Sequence, residues 1–152
     1  AKGEEVVFGD RFPIDGGKGK FVPADVISPD EMPDKEYPMI LTTGRQLEHW
    51  HTGAMTRKAS NLDAIEPEAT ISLSPKDIQK IKINSGEFIE VSTRRGKIKT
   101  RVREDRSIPE GVIFMPFCYE EAAANLLTNP ALDPFGKIPE FKYCAAKIDT
   151  LN

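Results

Sequence analysis

Leu41-Thr-Thr-Gly-Arg-Gln-Leu-Glu-His-Trp-His-Thr-Gly-Ala-Met-Thr-Arg57 is the stretch around which the rest of the chain is read. It follows an apolar run, Pro38-Met-Ile-Leu41, with the texture of a buried strand, and it precedes a short helical segment at Lys58 to Leu62. Between the two lie both histidines of the chain, its only tryptophan, two glycines, two arginines and four threonines. A strand that ends in Thr-Thr-Gly-Arg delivers backbone N–H groups and a guanidinium to one place. Gly44 lets the backbone approach a ligand, and Arg45 offers a planar donor fork suited to phosphate or carboxylate. The alternative reading is an ordinary polar loop whose side chains satisfy the backbone. The clustering of His49, Trp50 and His51 where Gly44 and Gly53 open the chain favours a binding loop.

Outward from that loop, composition sets the bounds. The chain has 152 residues, enough for one domain with a single core. Hydrophobic residues make up 39%, charged residues 30%, and the net charge is -3. This balance favours neither nucleic acid nor a membrane surface as partner. No apolar run approaches the roughly 20 residues that cross a bilayer, and Ala1-Lys-Gly-Glu-Glu5 lacks the pattern of a signal peptide. Cys118 and Cys144 form no CxxC pair and are expected as reduced, packed thiols, with no zinc or iron–sulfur site. The chain does not begin with methionine, which leads us to expect a piece of a longer polypeptide.

Residues 1–37 carry little periodicity. Gly9, Gly16, Gly17, Gly19, Pro13, Pro23, Pro29 and Pro33 mark an extended lead-in strap, with Phe8, Phe12, Phe21 and Val22 spaced as anchors for a neighbouring surface. Residues 38–152 read as the packed domain. Strands are expected at Met39–Thr43, Glu68–Leu73, Phe88–Ser92, Ile98–Val102, Val112–Met115 and Phe141–Ile148. Ser74 as cap and Pro75 at the first position start a helix that runs to Ile81 and is stopped by Asn84-Ser-Gly86. Arg94-Arg-Gly-Lys97 is a hairpin turn, Tyr119–Leu127 an alanine-rich helix, and Thr128–Pro139 a proline-punctuated loop. Short strands, brief helices and long connections predict a mainly β fold, a small β-barrel.

The chemistry-bearing residues argue for binding and against independent catalysis. No serine stands in a nucleophile-elbow pattern, and an HxH pair alone on a loop makes no metal site, so no catalytic residue and no metal ligand is assigned. His49 and His51 are read as hydrogen-bonding either a heteroatom-rich ligand or the backbone. Asn125, amid alanines, has the donors and acceptor that read a heterocycle edge, or it is a cap or solvent-facing residue. Lys142 is a ligand cation or a solvated surface lysine. The basic set Arg94, Arg95, Lys97, Lys99, Arg101 and Arg103 lacks interleaved aromatics and reads as a hairpin's solvated face.

Taken together, Thr43-Gly-Arg-Gln-Leu-Glu-His-Trp-His-Thr52 with Gly53-Ala-Met-Thr-Arg57, Phe114-Met-Pro-Phe117, Asn125-Leu-Leu-Thr128, Asp133-Pro134 and Pro139-Glu-Phe-Lys-Tyr-Cys144 resemble the C-terminal domain of the dimethylsulfoxide-reductase family, the molybdopterin-guanine-dinucleotide oxidoreductases. The segments fall in the family's order and spacing over residues 38–148. Glu121-Ala-Ala-Ala-Asn-Leu-Leu-Thr-Asn-Pro130 and Glu140-Phe-Lys-Tyr-Cys144 are most similar to formate dehydrogenase catalytic subunits; nitrate reductases share the first motif. A stand-alone binding barrel is the rival from another class.

The resemblance implies a six-stranded double-psi β-barrel that holds part of a bis-molybdopterin guanine dinucleotide of molybdenum or tungsten. It implies cofactor contacts at Thr43, Gly44, Arg45, Gln46, Leu47, Glu48, His49, Trp50, His51, Thr52, Asn125 and Lys142, with Phe117 on the pterin or substrate side. The parent enzyme would oxidise formate to carbon dioxide, and this domain alone would be inactive. An iron–sulfur cluster and the metal ligand would lie in an earlier part of the parent. The implied partners are preceding domains of the same polypeptide and electron-transfer subunits. The expected compartment, from the family and the free thiols, is the cytoplasm.

Overall fold

The computed structural model describes residue 3 and residues 5–151 of the chain. In β1 (Met39–Gly44) the side chains alternate, with Met39, Leu41 and Thr43 buried and Ile40 and Thr42 half-buried, as expected where one strand face turns into a core. β1 lies parallel to β5 (Val112–Pro116), with Leu41 opposite Ile113 and Thr43 opposite Met115. Its other edge runs antiparallel to β6 (Cys144–Thr150), with Leu41 opposite Cys144. β2 (Thr70–Leu73), β3 (Phe88–Ser92) and β4 (Lys97–Glu104) complete a closed ring in the order β1-β5-β2-β4-β3-β6.

Two connections make the ring a double-psi barrel. The chain leaving β1 passes the position of β5 to reach β2, and the chain leaving β4 passes the position of β2 to reach β5. The two crossings interlock and leave two parallel pairs, β1–β5 and β2–β4, within an otherwise antiparallel ring. Closure removes the free strand edges. The interior is filled by Leu41, Ile71, Leu73, Ile89, Val91, Val102, Ile113 and Met115, each at most 2% exposed. Thr100, buried among them, donates its hydroxyl to the Ala69 carbonyl at 2.8 Å, so the polar group is satisfied.

The expected helix start holds in detail. Helix α2 (Pro75–Ile81) is capped by Ser74, whose Oγ accepts from the Asp77 amide at 3.1 Å and donates to Asp77 Oδ2 at 2.7 Å. Asp77 Oδ2 also accepts from the Gly111 amide at 2.9 Å, tying the helix to the turn before β5. The stop comes earlier than Asn84-Ser-Gly86: Lys82 adopts the left-handed conformation (φ 60°) and ends the helix. Helix α1 (Ser60–Ile65) follows a 3-10 turn at Thr56–Lys58, so helical structure extends past both ends of the expected Lys58–Leu62.

The alanine-rich helix expected at Tyr119–Leu127 does not form. Only Ala124–Leu126 makes a single 3-10 turn, and Ala123 before it is extended (φ −65°, ψ 103°). Burial explains the difference. Cys118 and Tyr119 are buried side by side, then Ala122, Ala124 and Leu127, a spacing that no single helix face presents. Nine residues of favourable propensity are too few to nucleate a helix against such contacts. The last strand also shifts: Phe141 and Lys142 form a turn, and β6 runs from Cys144 to Thr150.

The lead-in strap has two parts. Phe8 pairs with Phe12 at 5.7 Å, while Phe21 and Val22 stand exposed. From Asp30 onward the strap is tied to the barrel. Glu31 accepts from Arg95 Nη1 at 2.7 Å, from Arg94, and from the Ala145 amide at 3.1 Å; Arg94 also pairs with Asp34 and lies 4.7 Å over the Tyr37 ring.

Burial alone would raise the Glu31 carboxyl, but the donors from Arg95, Arg94 and Ala145 outweigh it and hold the group at about 2, below its ordinary 4.5. A folded value below the unfolded one stabilises the protein above pH 4.5, and the contribution is lost as pH falls through about 2. Glu31→Gln is therefore expected to cost on the order of 2 kcal/mol at pH 7, allowing for solvent screening of the partly exposed arginines. Urea titrations at pH 7, 4 and 2 check this: the two proteins converge at the acid end, and a gap independent of pH contradicts it.

Candidate functional site

The β1 strand ends where Gly44 packs under β5. A Cβ on Gly44 would stand 2.3 Å from the Phe114 ring, so this glycine is required by the close approach of Phe114. The chain then opens into the Arg45–Thr52 loop, in which His51 takes a left-handed backbone (φ 52°) and the Gly53 amide closes a turn onto the Trp50 carbonyl at 2.9 Å.

On one side of this loop lies a cleft of about 460 Å³ lined by Thr43, Arg45, His51, Thr52, Phe117, Asn125, Phe141 and Lys142. Four separate segments supply it: the end of β1 with its loop, the residue after β5, the 3-10 turn at Asn125, and the turn before β6. The pieces are locked together by the backbone. Lys142 Nζ donates to the Thr43 carbonyl at 2.6 Å, the Thr43 hydroxyl donates to the Phe141 carbonyl at 2.8 Å, and the Phe117 amide donates to the Gly44 carbonyl at 3.3 Å. His51 stands edge-on to the Phe117 ring at 5.4 Å. The lining contains a guanidinium, an ammonium, two hydroxyls, an amide and an imidazole, with two flat phenyl rings and no carboxylate. Such a wall suits an anion joined to a flat heterocycle.

The structure thus brings together Thr43, Arg45, His51, Thr52, Phe117, Asn125 and Lys142 of the residues singled out in the sequence. It does not bring the others there. Gln46, Leu47, Glu48, His49 and Trp50 line a second concavity of about 560 Å³ with Thr56 and Leu62, and Arg45 belongs to both. Leu47 is 94% exposed and Trp50 63% exposed, with the Arg45 guanidinium 5.9 Å from the Trp50 ring. Gln46 donates to the Glu48 carboxylate at 2.7 Å, which holds that group below the usual carboxylate range.

The two histidines part company. His49 is fully buried, its Nε2 donating to the Glu66 carbonyl at 2.8 Å and its Nδ1 lying 3.3 Å from the Thr56 hydroxyl. The same hydroxyl accepts from the Trp50 amide at 3.0 Å. Tyr119 packs edge-on against the ring at 5.6 Å and donates to the same Glu66 carbonyl at 3.1 Å. His49 therefore pins the loop to the α1–β2 connection, whereas His51 faces the cleft. Phe141 is the lining residue that sequence reasoning missed; its signal was an aromatic beside Lys142 in the Pro139–Cys144 motif.

Both cysteines are free and buried, and burial pushes each thiol up. Among the described residues, no group of three or more His, Cys, Asp or Glu is arranged to hold a metal, and no helix is long and apolar enough to cross a membrane.

The closed double-psi barrel carries at its rim a cationic, carboxylate-free cleft whose lining suits an anionic, heterocycle-bearing ligand. The family described as "Molydopterin dinucleotide binding domain" matches residues 39–145, and the chain belongs to it. The chain is 45% identical over 149 residues to the F420-dependent formate dehydrogenase subunit alpha of Methanocaldococcus jannaschii, a match covering 98% of this chain and 22% of that protein. It is 46% identical over 135 residues to the F420-dependent formate dehydrogenase 1 subunit alpha of Methanococcus maripaludis, covering 89% and 20%. The chain spans about a fifth of the length of these curated relatives. Among solved structures, acetylene hydratase from Pelobacter acetylenicus aligns with a TM-score of 0.69 at 26% identity, over 77% of this chain and 19% of that one.

Proposed function

We propose that the cleft binds part of a molybdopterin guanine dinucleotide within a formate dehydrogenase catalytic subunit. The observation that carries this reading is the convergence of Arg45, Asn125 and Lys142 from three distant segments on one carboxylate-free wall. Arg45 and Lys142 would neutralise the pyrophosphate, Lys142 with the ammonium protons not spent on the Thr43 carbonyl. Thr43, Thr52, His51 and Asn125 would meet the polar edges of pterin or guanine, and Phe117 and Phe141 its flat faces. Residues Gln46 to Trp50 would contribute from the neighbouring concavity, with Trp50 and Leu47 offering apolar area. His49 and Gly44 would serve by shaping the loop. About 460 Å³ accommodates a portion of a dinucleotide, so the remainder of the cofactor would rest on other parts of the parent.

When bound, the cofactor would supply the redox chemistry at its molybdenum or tungsten, and this chain's residues would bind and orient it. Formate oxidation to carbon dioxide is favoured over nitrate reduction by the relatives' 45% and 46% identity to subunits named as formate dehydrogenases. The metal ligand, an iron–sulfur cluster and the contacts to electron-transfer subunits would belong to the rest of that subunit. The two buried free thiols fit a reducing, cytoplasmic compartment.

Arg45→Ala and Asn125→Ala, made in the complete subunit, are each expected to lower the guanine nucleotide and metal that co-purify by about tenfold in retention, with unfolding temperature nearly unchanged because both side chains are exposed. Guanine nucleotide released by acid and metal content by mass spectrometry are the readouts. Wild-type content in both variants removes the assignment.

A further inference from the structure

Asn125 sits on a single 3-10 turn, with no strand ladder to fix its position. The turn is held from beneath by the Thr93–Gly96 hairpin. Gly96 packs so closely that a Cβ there would stand 2.9 Å from the Leu126 carbonyl oxygen. The Leu127 carbonyl, two residues beyond Asn125, accepts from Arg95 Nε at 3.3 Å, from Arg95 Nη2 at 3.1 Å and from the Thr93 hydroxyl at 3.0 Å. The other edge of the Arg95 guanidinium, Nη1, donates to Glu31 at 2.7 Å. Glu31 is fixed in turn by the Ala145 amide at 3.1 Å and by Arg94, and its side chain is only 13% exposed.

We propose that Glu31, a strap residue outside the binding motif, is a positioning residue for the cleft: through Arg95 and the Leu127 carbonyl it sets where the Asn125 amide stands. The inference rests on the cofactor-binding reading of that cleft. A planar guanidinium that donates to a carboxylate on one edge and to a carbonyl on the other transmits position in a way that a flexible ammonium does not. The carboxylate of Glu140 reinforces the same junction, accepting from the Asp30 amide at 3.2 Å and from Asn129 Nδ2 at 2.9 Å. If Glu31 merely tacked the strap to the barrel, its loss would change stability without regard to what residue occupies position 125.

A double-mutant cycle separates the two roles, with guanosine diphosphate as the probe titrated into the purified protein at a temperature where circular dichroism shows every variant folded. Asn125→Ala is expected to weaken binding about tenfold and Glu31→Gln about fivefold, whereas Glu31→Gln in the Asn125→Ala background changes the Kd by less than about twofold. Arg95→Lys, which keeps the charge beside Glu31, follows Glu31→Gln. The side-chain amide resonance of Asn125 moves in both Glu31→Gln and Arg95→Lys. A Glu31→Gln effect that persists in full on Asn125→Ala, or an unchanged Kd and Asn125 resonance in Glu31→Gln and Arg95→Lys, overturns the proposal. The cleft reading fails differently: wild type does not bind the diphosphate, or Asn125→Ala and Lys142→Ala bind like wild type. The positioning role then falls with it.

Discussion

Gly53→Ala is expected to cost about 3 kcal/mol and to lower the unfolding temperature by roughly 10 °C. Two terms add. Gly53 has φ +75°, a conformation that disfavours any residue with a Cβ by about 1 kcal/mol or more. The new methyl would also stand 2.5 Å from the Cys118 carbonyl oxygen and 2.7 Å from Arg57 Cγ. Neither neighbour yields easily. Cys118 is buried backbone at the exit from β5, and the Arg57 guanidinium lies 4.7 Å over the Tyr119 ring and within ion-pair distance of Asp63 (2.8 Å) and Glu121 (3.1 Å), although without hydrogen-bond geometry to either. Relief would require moving the Trp50–Gly53 turn, and with it His51 and Thr52, out of the cleft. Differential scanning calorimetry on Gly53→Ala reads the cost; a change below about 1 kcal/mol means that the loop relaxes freely, and the tight packing argued here is wrong.

The parts of the fold that were legible in the sequence are those set by local pattern. Alternating burial in Lys97–Glu104 follows directly from its alternating residues, the apolar run at Met39–Leu41 marks a strand set into the core, and Ser74-Pro75 marks a helix start because the cap chemistry is local. Ring order was not legible this way, because β1 against β5 and β2 against β4 are pairings across long intervals of chain. Only the resemblance carried by the motifs supplied the double-psi closure. Tyr119–Leu127 misled because alanine propensity is weak beside the burial of Ala122, Ala124 and Leu127 at positions unsuited to one helix face. In the site, Arg45, Asn125 and Lys142 line one cleft, yet the contiguous run Thr43–Thr52 is shared between two concavities, with Arg45 in both. A loop residue's direction depends on φ/ψ values such as the left-handed His51, which no pattern of residue types encodes. Glu31 was invisible for a related reason: one acid among many in a proline-rich strap gives no sign that two arginines far along the chain await it.

His49→Ala and His51→Asn are expected to part stability from binding. The two residues are separated by Trp50 alone, and any function assigned to an HWH motif treats them alike. His49 is 1% exposed, and its removal leaves a cavity lined by Tyr119 and the loop backbone. It also strips a donor from the Glu66 carbonyl, which keeps only Tyr119, and leaves the Thr56 hydroxyl without its ring partner. Loss of a buried ring and its hydrogen bonds together costs about 3–4 kcal/mol. His51 is exposed at the cleft with a left-handed backbone that asparagine tolerates well, so His51→Asn should stay within about 0.5 kcal/mol of wild type. Its effect belongs to binding: guanosine diphosphate affinity should fall several-fold, about 1 kcal/mol, through loss of the imidazole that packs on Phe117. Thermal unfolding and titration on both variants decide the matter. A destabilised His51→Asn with normal affinity, beside a stable His49→Ala that no longer binds, would reverse the roles and place the ligand on the Trp50 side of the loop.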